Sequence, residues 1–279
     1  MHDHAEFITY DEPPSAKGVE ALGGRWDLYK RLVAGVPEDV VVEKVCVGAH
    51  WVYVQATSGL GMAMLVRGGR AGCRLLDGGA GMRLRDLAAF STSWRFLEAT
   101  IGVAALNAWY ASEPVARANG MTYDEKGEND AFALCSRLVE GKKVTVVGHF
   151  PLIERMADRC TLTVLERDPH DADLPDPGCE YILPEQDYAF ITGTALTNKT
   201  LPRLLALCRE GDTPAMLVGP SVVPSPVFFE LGVVNLLGSV CLPERSDEVK
   251  RAIETCSHTG IFNSGVQKMQ MQKPGWKPA

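Results

Sequence analysis

The stretch TGTALTNKT, residues 192–200, carries more polar side chains than a simple connection between two elements requires. It follows the apolar run 188–191 and precedes a helical pattern that begins at Leu201. One polar side chain is enough to cap that helix. The others can bind the carboxylate, phosphate or polar ring of a small molecule, together with free N–H groups at the helix start; the candidates are Thr192, Gly193, Thr194 and Asn198, with Lys199 adding charge. A polar loop without a ligand is the simpler alternative.

Three more candidate segments follow predicted strands. Ligands of open parallel sheets bind beyond the carboxyl ends of the strands, so these segments are expected to share one edge. They are Gly148-His149-Phe150, Glu166 at the end of the next strand, and Gly219-Pro220-Ser221. Ser221 lacks the G-x-S-x-G context of an activated serine nucleophile.

The segment GHFP, residues 148–151, argues against a dinucleotide or S-adenosylmethionine loop. Such loops use two or three glycines so that the backbone can approach the ligand closely. Here Gly148 is followed by His149 and the bulky Phe150, and Pro151 removes an N–H group. Glu166 stands where a strand-end acid binds ribose, and a solvated strand-end charge explains it equally well.

The first half contains a helical stretch that is apolar on almost every side, residues 93–110. Such a helix is expected to be buried. Glu98 lies at the edge of one face and needs a partner, because an unpaired buried carboxylate is costly. If Glu98 faces the second half, it becomes the candidate general acid or base. Asn107 lies on the opposite side of this helix, and for both residues a purely structural role is the alternative.

Composition limits the kinds of partner. The 279 residues carry 28 basic and 35 acidic side chains, a net charge of −7, which argues against a broad nucleic-acid surface. The most apolar region, 215–242, is interrupted by three prolines and predicts no membrane span. Eight scattered cysteines and a polar N-terminus indicate reduced thiols in a cytoplasm. His2, His4 and the other histidines lack metal-ligand spacing, so no metal site is predicted.

The pattern predicts an α/β protein with two domains, residues 1–122 and 123–279. In the first, strands over 40–47, 51–57 and 62–66 precede helices over 84–90 and 93–110, with an earlier helix over 26–36. In the second, strands alternate with helices, which indicates a Rossmann-like parallel sheet. Its predicted strands are 144–148, 162–166, 180–183, 188–192, 215–218 and 239–242, and its helices are 129–140, 152–158, 201–209, 226–231 and 247–256. The tail from residue 263 is a frayed end or an added edge strand.

Four motifs together carry a resemblance: EATIGVAALNA in the first half, and VVGHFP, ITGTALTNKTL and GPSVVPSPVFFELGV in the second. The chain resembles a prokaryotic family described as "putative heavy-metal chelation" proteins. The resemblance implies a small α+β enolase-N-terminal-like domain followed by a Rossmann-like domain, with a site between them. It implies a site built from Glu98, Asn107, Gly148, His149, Glu166, 192–194, Asn198 and 219–221.

The resemblance also implies a function: condensation or hydrolysis of small molecules related to pterins, flavins or metal chelators, in connection with metal homeostasis. A non-enzymatic binding protein for a metal or a metal–chelator complex is the alternative. A methyltransferase-like enzyme ranks lower because the glycine-rich loop is missing. The cofactor is unknown, the expected partner is a small, metal-associated molecule, and a homodimer is plausible for such a protein.

Overall fold

The computed structural model describes residues 24, 26–75, 78–123, 135, 137–151, 153–170, 172–263 and 265–277. Within them the helices are α1 (Asp27–Ala34), α2 (Leu84–Ala88), α3 (Phe96–Tyr110), α4 (Glu113–Ala118), α5 (Cys179–Ile182), α6 (Thr194–Thr197), α7 (Leu201–Glu210), α8 (Val227–Glu230), α9 (Ser246–Glu254) and α10 (Gly260–Asn263). The strands are β1 (Val42–Val47), β2 (Trp51–Ala56), β3 (Gly59–Met64), β4 (Lys143–Val147), β5 (Thr161–Glu166), β6 (Leu174–Pro175), β7 (Tyr188–Thr192), β8 (Ala215–Val218), β9 (Val233–Cys241) and β10 (Val266–Gln272).

The first half is an antiparallel meander covered by one long helix. Strands β1, β2 and β3 pair in chain order, and α3 packs against β2 and β3. The helix approaches β3 very closely at Gly61, where an added Cβ would lie 1.9 Å from the backbone nitrogen of Ala108. All but three of the α3 residues are buried. The prediction of a buried helix in this region is confirmed, because its apolar surface continues around the whole cylinder.

The second half is a mixed, mostly parallel sheet. Its described strands follow the order β10-β9-β8-β7-β4-β5-β6, and β10 alone runs antiparallel to its neighbour β9. The α/β class with a parallel-rich sheet is therefore confirmed. The chain moves from β4 to β5 on one side and later to β7 on the other side. Such a reversal opens a crevice between the carboxyl ends of the two strands, here β4 and β7.

The two halves pack together through a common hydrophobic cluster. It joins residues such as Leu32 and Val103 of the first half to Leu205 and Leu236 of the second. Direct hydrogen bonds cross the boundary as well. The hydroxyl of Tyr29 donates to the Leu196 carbonyl at 2.7 Å, and the backbone N–H of Met64 donates to Ser221 Oγ at 2.9 Å.

Several element predictions were wrong in detail. The segment 180–183 is not a strand: it belongs to helix α5 and the 3-10 turn Leu183–Glu185. Proline and glycine precede it at 177 and 178, Pro184 follows, and Tyr181 is 81% exposed, so no strand neighbour covers it. The predicted helix over 152–158 is only the 3-10 turn Ile153–Met156, and residue 152 lies outside the described residues.

Other differences concern where elements begin and end. Strand β9 starts at Val233 rather than 239, because a fully buried strand shows no alternation that would mark its start. Helix α8 begins one residue later than predicted, at Val227, whose N–H donates to Ser225 Oγ at 3.4 Å. The tail forms the edge strand β10, one of the two expected alternatives. Most of the predicted helix 129–140 lies outside the described residues, as do His2 and His4.

Candidate functional site

The crevice at the ends of β4 and β7 is bordered by two glycines in the left-handed region. Gly148 has φ +101° and Gly219 has φ +105°, and side chains rarely adopt this backbone conformation. The ring of Phe150 lies between them, 3.6 Å from the Cβ position of each. Both glycines and Phe150 are half-buried. The turn GHFP therefore bends sharply out of the sheet and places an aromatic ring beside the crevice.

His149, the residue between Gly148 and Phe150, is paired with a carboxylate that the sequence did not reveal. Its Nδ1 lies 3.0 Å from Asp173 Oδ2, and the Asp173 side chain is only 4% exposed. The backbone N–H of His170 also donates to Asp173, at 3.1 Å, and the two imidazoles stack at 5.4 Å. A buried carboxylate beside Nδ1 orients the ring and favours the tautomer that carries its proton on Nδ1.

Glu166, at the end of β5, binds the backbone of two neighbouring turns. One carboxylate oxygen accepts the backbone N–H of His149 at 2.8 Å, and the other accepts that of Arg167 at 2.7 Å. These bonds hold the turn after β4 against the turn after β5. Glu166 thus supports the position of His149, and its predicted contact with a ligand stays a prediction.

The stretch 192–200 contains the helical turn α6, but the predicted side-chain cap is wrong, because no side chain makes a capping hydrogen bond at the start of α7. The hydroxyls of Thr192 and Thr194 are 3.0 Å apart, and α6 begins directly after Gly193. Gly193 has no room for a side chain, because an added Cβ would lie 2.5 Å from the backbone nitrogen of Val222. Asn198 Oδ1 accepts both the backbone N–H and the hydroxyl of Thr200, at 3.1 and 2.7 Å. Asn198 therefore organises the start of α7.

The turn 219–221 forms part of the contact between the halves. Ser221 is buried, and its hydroxyl accepts the Met64 N–H described above. Pro220 is half-buried beside it. Ser221 therefore holds the end of β3 against the end of β8.

Glu98 is fully buried at the start of α3, and its carboxylate is held by Arg74 and Ser93. Arg74 donates from its backbone N–H at 2.6 Å and from Nη2 at 2.9 Å, while the Ser93 hydroxyl donates at 2.7 Å. Burial raises the pKa of Glu98, but the bonds from Arg74 and Ser93 outweigh it and hold that pKa below its ordinary value. These contacts all lie within the first half, and a role of Glu98 as general acid or base stays a prediction.

Asn107 lies deeper in the same helix. Its Nδ2 donates to the Met62 carbonyl at 2.8 Å, and its Oδ1 is buried with no hydrogen-bond partner among the described residues. Asn107 thus links α3 to β3, and its Oδ1 is an unused acceptor among the described residues.

A loop rich in glycine and arginine lies beside Glu98, and it was not among the segments predicted from the sequence. The run RGGRAGCR, residues 67–74, provides Arg74 for Glu98, and its Arg70 N–H donates to the Trp94 carbonyl at 3.1 Å. Arg167, from the turn after β5, lies 5.8 Å from the ring of Phe96 at the start of α3. The signal was present, since three arginines and three glycines in eight residues are unusual in an acidic chain.

In the described part of the chain, no group of three or more His, Cys, Asp and Glu side chains is arranged to hold a metal ion. The eight cysteines carry free thiols. None of the described helices combines the length and apolar character needed to cross a membrane.

Comparison with known proteins agrees with the resemblance seen in the motifs. Residues 130–272 match the DUF364 family model and residues 29–110 match the DUF4213 family model, both described as "putative heavy-metal chelation". A crystal structure of a DUF364 protein of unknown function from Desulfitobacterium hafniense is 35% identical, with a TM-score of 0.82 over 90% of this chain and 99% of that one. The chain belongs to the DUF364 family.

Two further relatives are more distant. A DUF364 protein of unknown function from Pyrococcus horikoshii is 18% identical and has a TM-score of 0.71 over 89% of this chain and 99% of that one, which shows the common fold. An uncharacterized protein of Methanocaldococcus jannaschii is 27% identical over 196 residues, 68% of this chain and 71% of the relative. The family description thus relates this DUF364 protein to heavy-metal chelation and leaves its ligand open.

Proposed function

We propose that this DUF364 protein binds a small pterin-, flavin- or chelator-like molecule in the crevice at the ends of β4 and β7. We further propose that it catalyses a hydrolysis or condensation of that molecule, with His149 moving the proton. The ligand is an organic chelator or its precursor. This connects the enzyme hypothesis to the chelation description of the family.

The observation that carries the proposal is the pairing of His149 with the buried Asp173. A histidine held by a carboxylate on Nδ1 accepts a proton at Nε2 when a nucleophile attacks, and the nearby negative charge stabilises the imidazolium that forms. In a hydrolysis the nucleophile is water. In a condensation it is a hydroxyl or amine of the second reactant.

The crevice next to His149 suits a flat polar ligand. The ring of Phe150 lies between Gly148 and Gly219, and the hydroxyls of Thr192 and Thr194, 3.0 Å apart, lie at the end of the neighbouring strand β7. Aromatic rings stack on heterocycles in offset geometry, while hydroxyls fix their orientation by hydrogen bonds. Arg167 lies near the end of β5, 3.8 Å from Asp176 Oδ2, and its guanidinium has further N–H groups that can donate to an anionic substituent.

The test uses Asp173→Asn with Asp168→Asn as its matched control. Asp168 is exposed, follows the same strand and undergoes the same chemical change. The wild-type protein is incubated with pterins, flavins and catechol or carboxylate chelators, and binding and conversion are followed by thermal shift and mass spectrometry. We expect Asp173→Asn to keep binding while losing roughly 10²- to 10⁴-fold in conversion, because its His149 is no longer stabilised when charged.

The two halves of the proposal fail in different ways. Normal conversion by Asp173→Asn would remove the His149 mechanism. Stabilisation of the wild type without any chemical change in the ligand would instead support a non-enzymatic binding protein. Equal losses in Asp168→Asn would mean that the loop, rather than the pair, is responsible.

A further inference from the structure

Lys199 has an unusual backbone conformation at the start of α7. Its φ is +72°, in the left-handed region that residues other than glycine and asparagine seldom adopt. The residues on either side fix this conformation, because Asn198 Oδ1 binds both the N–H and the hydroxyl of Thr200. Strained residues of this kind are concentrated at functional sites, where the surrounding structure maintains them.

The conformation turns the amine of Lys199 back into the protein. Its Nζ donates to the Thr197 carbonyl at 2.6 Å and lies 5.5 Å from the centre of the Tyr29 ring, which belongs to α1 of the first half. The Tyr29 hydroxyl is used by the Leu196 carbonyl, and the Trp26 ring packs at 5.2 Å from that of Tyr29. The amine thus lies where α1 meets the loop between α6 and α7, under an aromatic wall.

No carboxylate forms an ion pair with Lys199 among the described residues. The ring of Tyr29 attracts the charged amine only weakly, and burial raises the pKa of Tyr29 above its ordinary range, so that ring stays neutral. Loss of water around Nζ is therefore the dominant effect, and it lowers the pKa of Lys199 to about 7. A large share of this amine carries no charge at neutral pH, whereas a surface lysine is almost fully protonated.

Thr197, whose carbonyl accepts the hydrogen bond from this amine, also carries an unused hydroxyl. It is fully buried and has no hydrogen-bond partner among the described residues. Because Lys199 Nζ binds the carbonyl of the same residue, this hydroxyl is a candidate donor to the oxygen of a carbonyl compound or of the adduct formed from it. The motif TNKT thus combines a desolvated amine, a fixed backbone and a spare hydroxyl.

We propose that Lys199 is a nucleophilic lysine that forms an imine with an aldehyde or ketone group of a small molecule. The Nζ lone pair attacks the carbonyl carbon, a C–N bond forms, and the oxygen takes up a proton to give a carbinolamine. The carbinolamine then loses its hydroxyl group and the remaining N–H hydrogen as one water molecule: the C–O and N–H bonds break, and the C=N bond forms. No oxidant or reductant takes part.

The test is limited reductive methylation of the folded wild-type protein, with formaldehyde as the carbonyl probe and cyanoborohydride as the trapping reductant. Each modified lysine is identified by peptide mass spectrometry between pH 6.5 and 9. Lys30, exposed on the same helix as Tyr29, is the matched reference. We expect Lys199 to react about tenfold faster than Lys30 at pH 7, because far more of its amine is neutral. Its rate should level off above pH 8 while that of Lys30 continues to rise.

Equal or slower modification of Lys199 than of Lys30 at pH 7 would overturn the proposal, whether the cause is a charged amine or a closed site. A second probe, pyridoxal, tests whether a heterocyclic aldehyde also reaches the amine. If formaldehyde modifies Lys199 and pyridoxal does not, the substrate is restricted to small carbonyl compounds.

The variant Lys199→Arg, with an unchanged circular dichroism spectrum, is the control that identifies the labelled peptide. The test involves neither His149 nor Asp173, so its failure leaves the proposed function intact.

Discussion

Two side-chain pairs hold the groups on which chemistry in this DUF364 protein depends: Arg74 with Glu98, and His149 with Asp173. Glu98 was identified as a carboxylate that must have a partner, and the structure supplies that partner in Arg74. The identity of the partner was not predictable, because Arg74 lies 24 residues before Glu98, in a loop whose path depends on the fold. The same holds for His149 and Asp173, which are 24 residues apart and meet only through the parallel arrangement of β4 and β5.

Removing the charge of Glu98 is expected to weaken the fold in a pH-dependent way. Its pKa is lowered in the folded state, so the carboxylate contributes stability above its ordinary value of 4.5, and this is lost as the pH falls through the lower folded value. Glu98→Gln should reduce the free energy of unfolding by about 1–3 kcal/mol at pH 7. Urea denaturation at pH 7 and pH 3.5 measures the difference, which should shrink at the lower pH.

Glu230→Gln is the matched control for that change. Glu230 pairs with Arg31 at 2.6 Å on the surface, where its side chain is 64% exposed. Surface pairs contribute about 0–1 kcal/mol, so this variant should remain close to the wild type. If Glu98→Gln is as stable as Glu230→Gln at pH 7, the buried pair does not stabilise the loop as described.

At the scale of elements, the position of α3 on β3 is fixed by glycines that let the two backbones come into direct contact. Gly61 lies so close to the helix that a Cβ would also be 2.2 Å from the Ala104 carbonyl. Gly102, on α3, is equally close to Ser91, where a Cβ would lie 2.0 Å from the backbone nitrogen. These two glycines hold α3 between β3 and the 3-10 turn Ala89–Thr92, which in turn places Phe96 beside the second half.

Gly61→Ala should therefore destabilise the protein strongly, by at least about 3 kcal/mol, because the backbones of β3 and α3 must separate. Gly120→Ala is the control, since Gly120 has φ +92° but nothing within 4 Å of its Cβ position. That change should cost only the strain of a left-handed alanine, about 1–2 kcal/mol. Thermal unfolding of both variants gives the comparison, and a smaller loss for Gly61→Ala than for Gly120→Ala would contradict the close packing.

Elements were predictable where their pattern was strong. The parallel strands β4, β5, β7 and β8 are short apolar runs between turns, and the predicted ranges overlap the observed ones. Prediction failed where local pattern and tertiary context differ. Residues 180–183 include tyrosine and isoleucine, which favour strands. The prolines and glycine around them and the ion pair of Glu180 with Arg203 instead hold them in a short helix and a 3-10 turn.

At the scale of the whole molecule, the two halves form a single packed structure. Besides the common hydrophobic cluster, Tyr53 of β2 donates to Glu254 of α9, and the Trp51 indole donates to the His258 carbonyl at 2.9 Å. The sequence indicates two consecutive parts with different strand and helix patterns. It could not show the contact between them, because that contact joins residues about 200 positions apart in the chain. The boundary at 122/123 remains a prediction.

Charge is also distributed unevenly over the molecule. The chain carries −7 overall, yet four arginines lie around the start of α3: Arg70, Arg74, Arg95 and Arg167. Carboxylates balance part of this charge, because Arg74 and Arg95 pair with Glu98 and Arg167 lies 3.8 Å from Asp176.

The most direct test of the central claim is native mass spectrometry of the wild type and of a His149→Ala/Phe150→Ala double variant. Both are purified without chelators or affinity-column metal and incubated with the same panel of pterins, flavins and chelators. Our account predicts an organic adduct on the wild type whose occupancy falls at least about tenfold in the variant, because the aromatic face and the imidazole of the crevice are gone. A bare wild-type chain, or an adduct retained equally by the variant, would contradict a ligand site at the ends of β4 and β7.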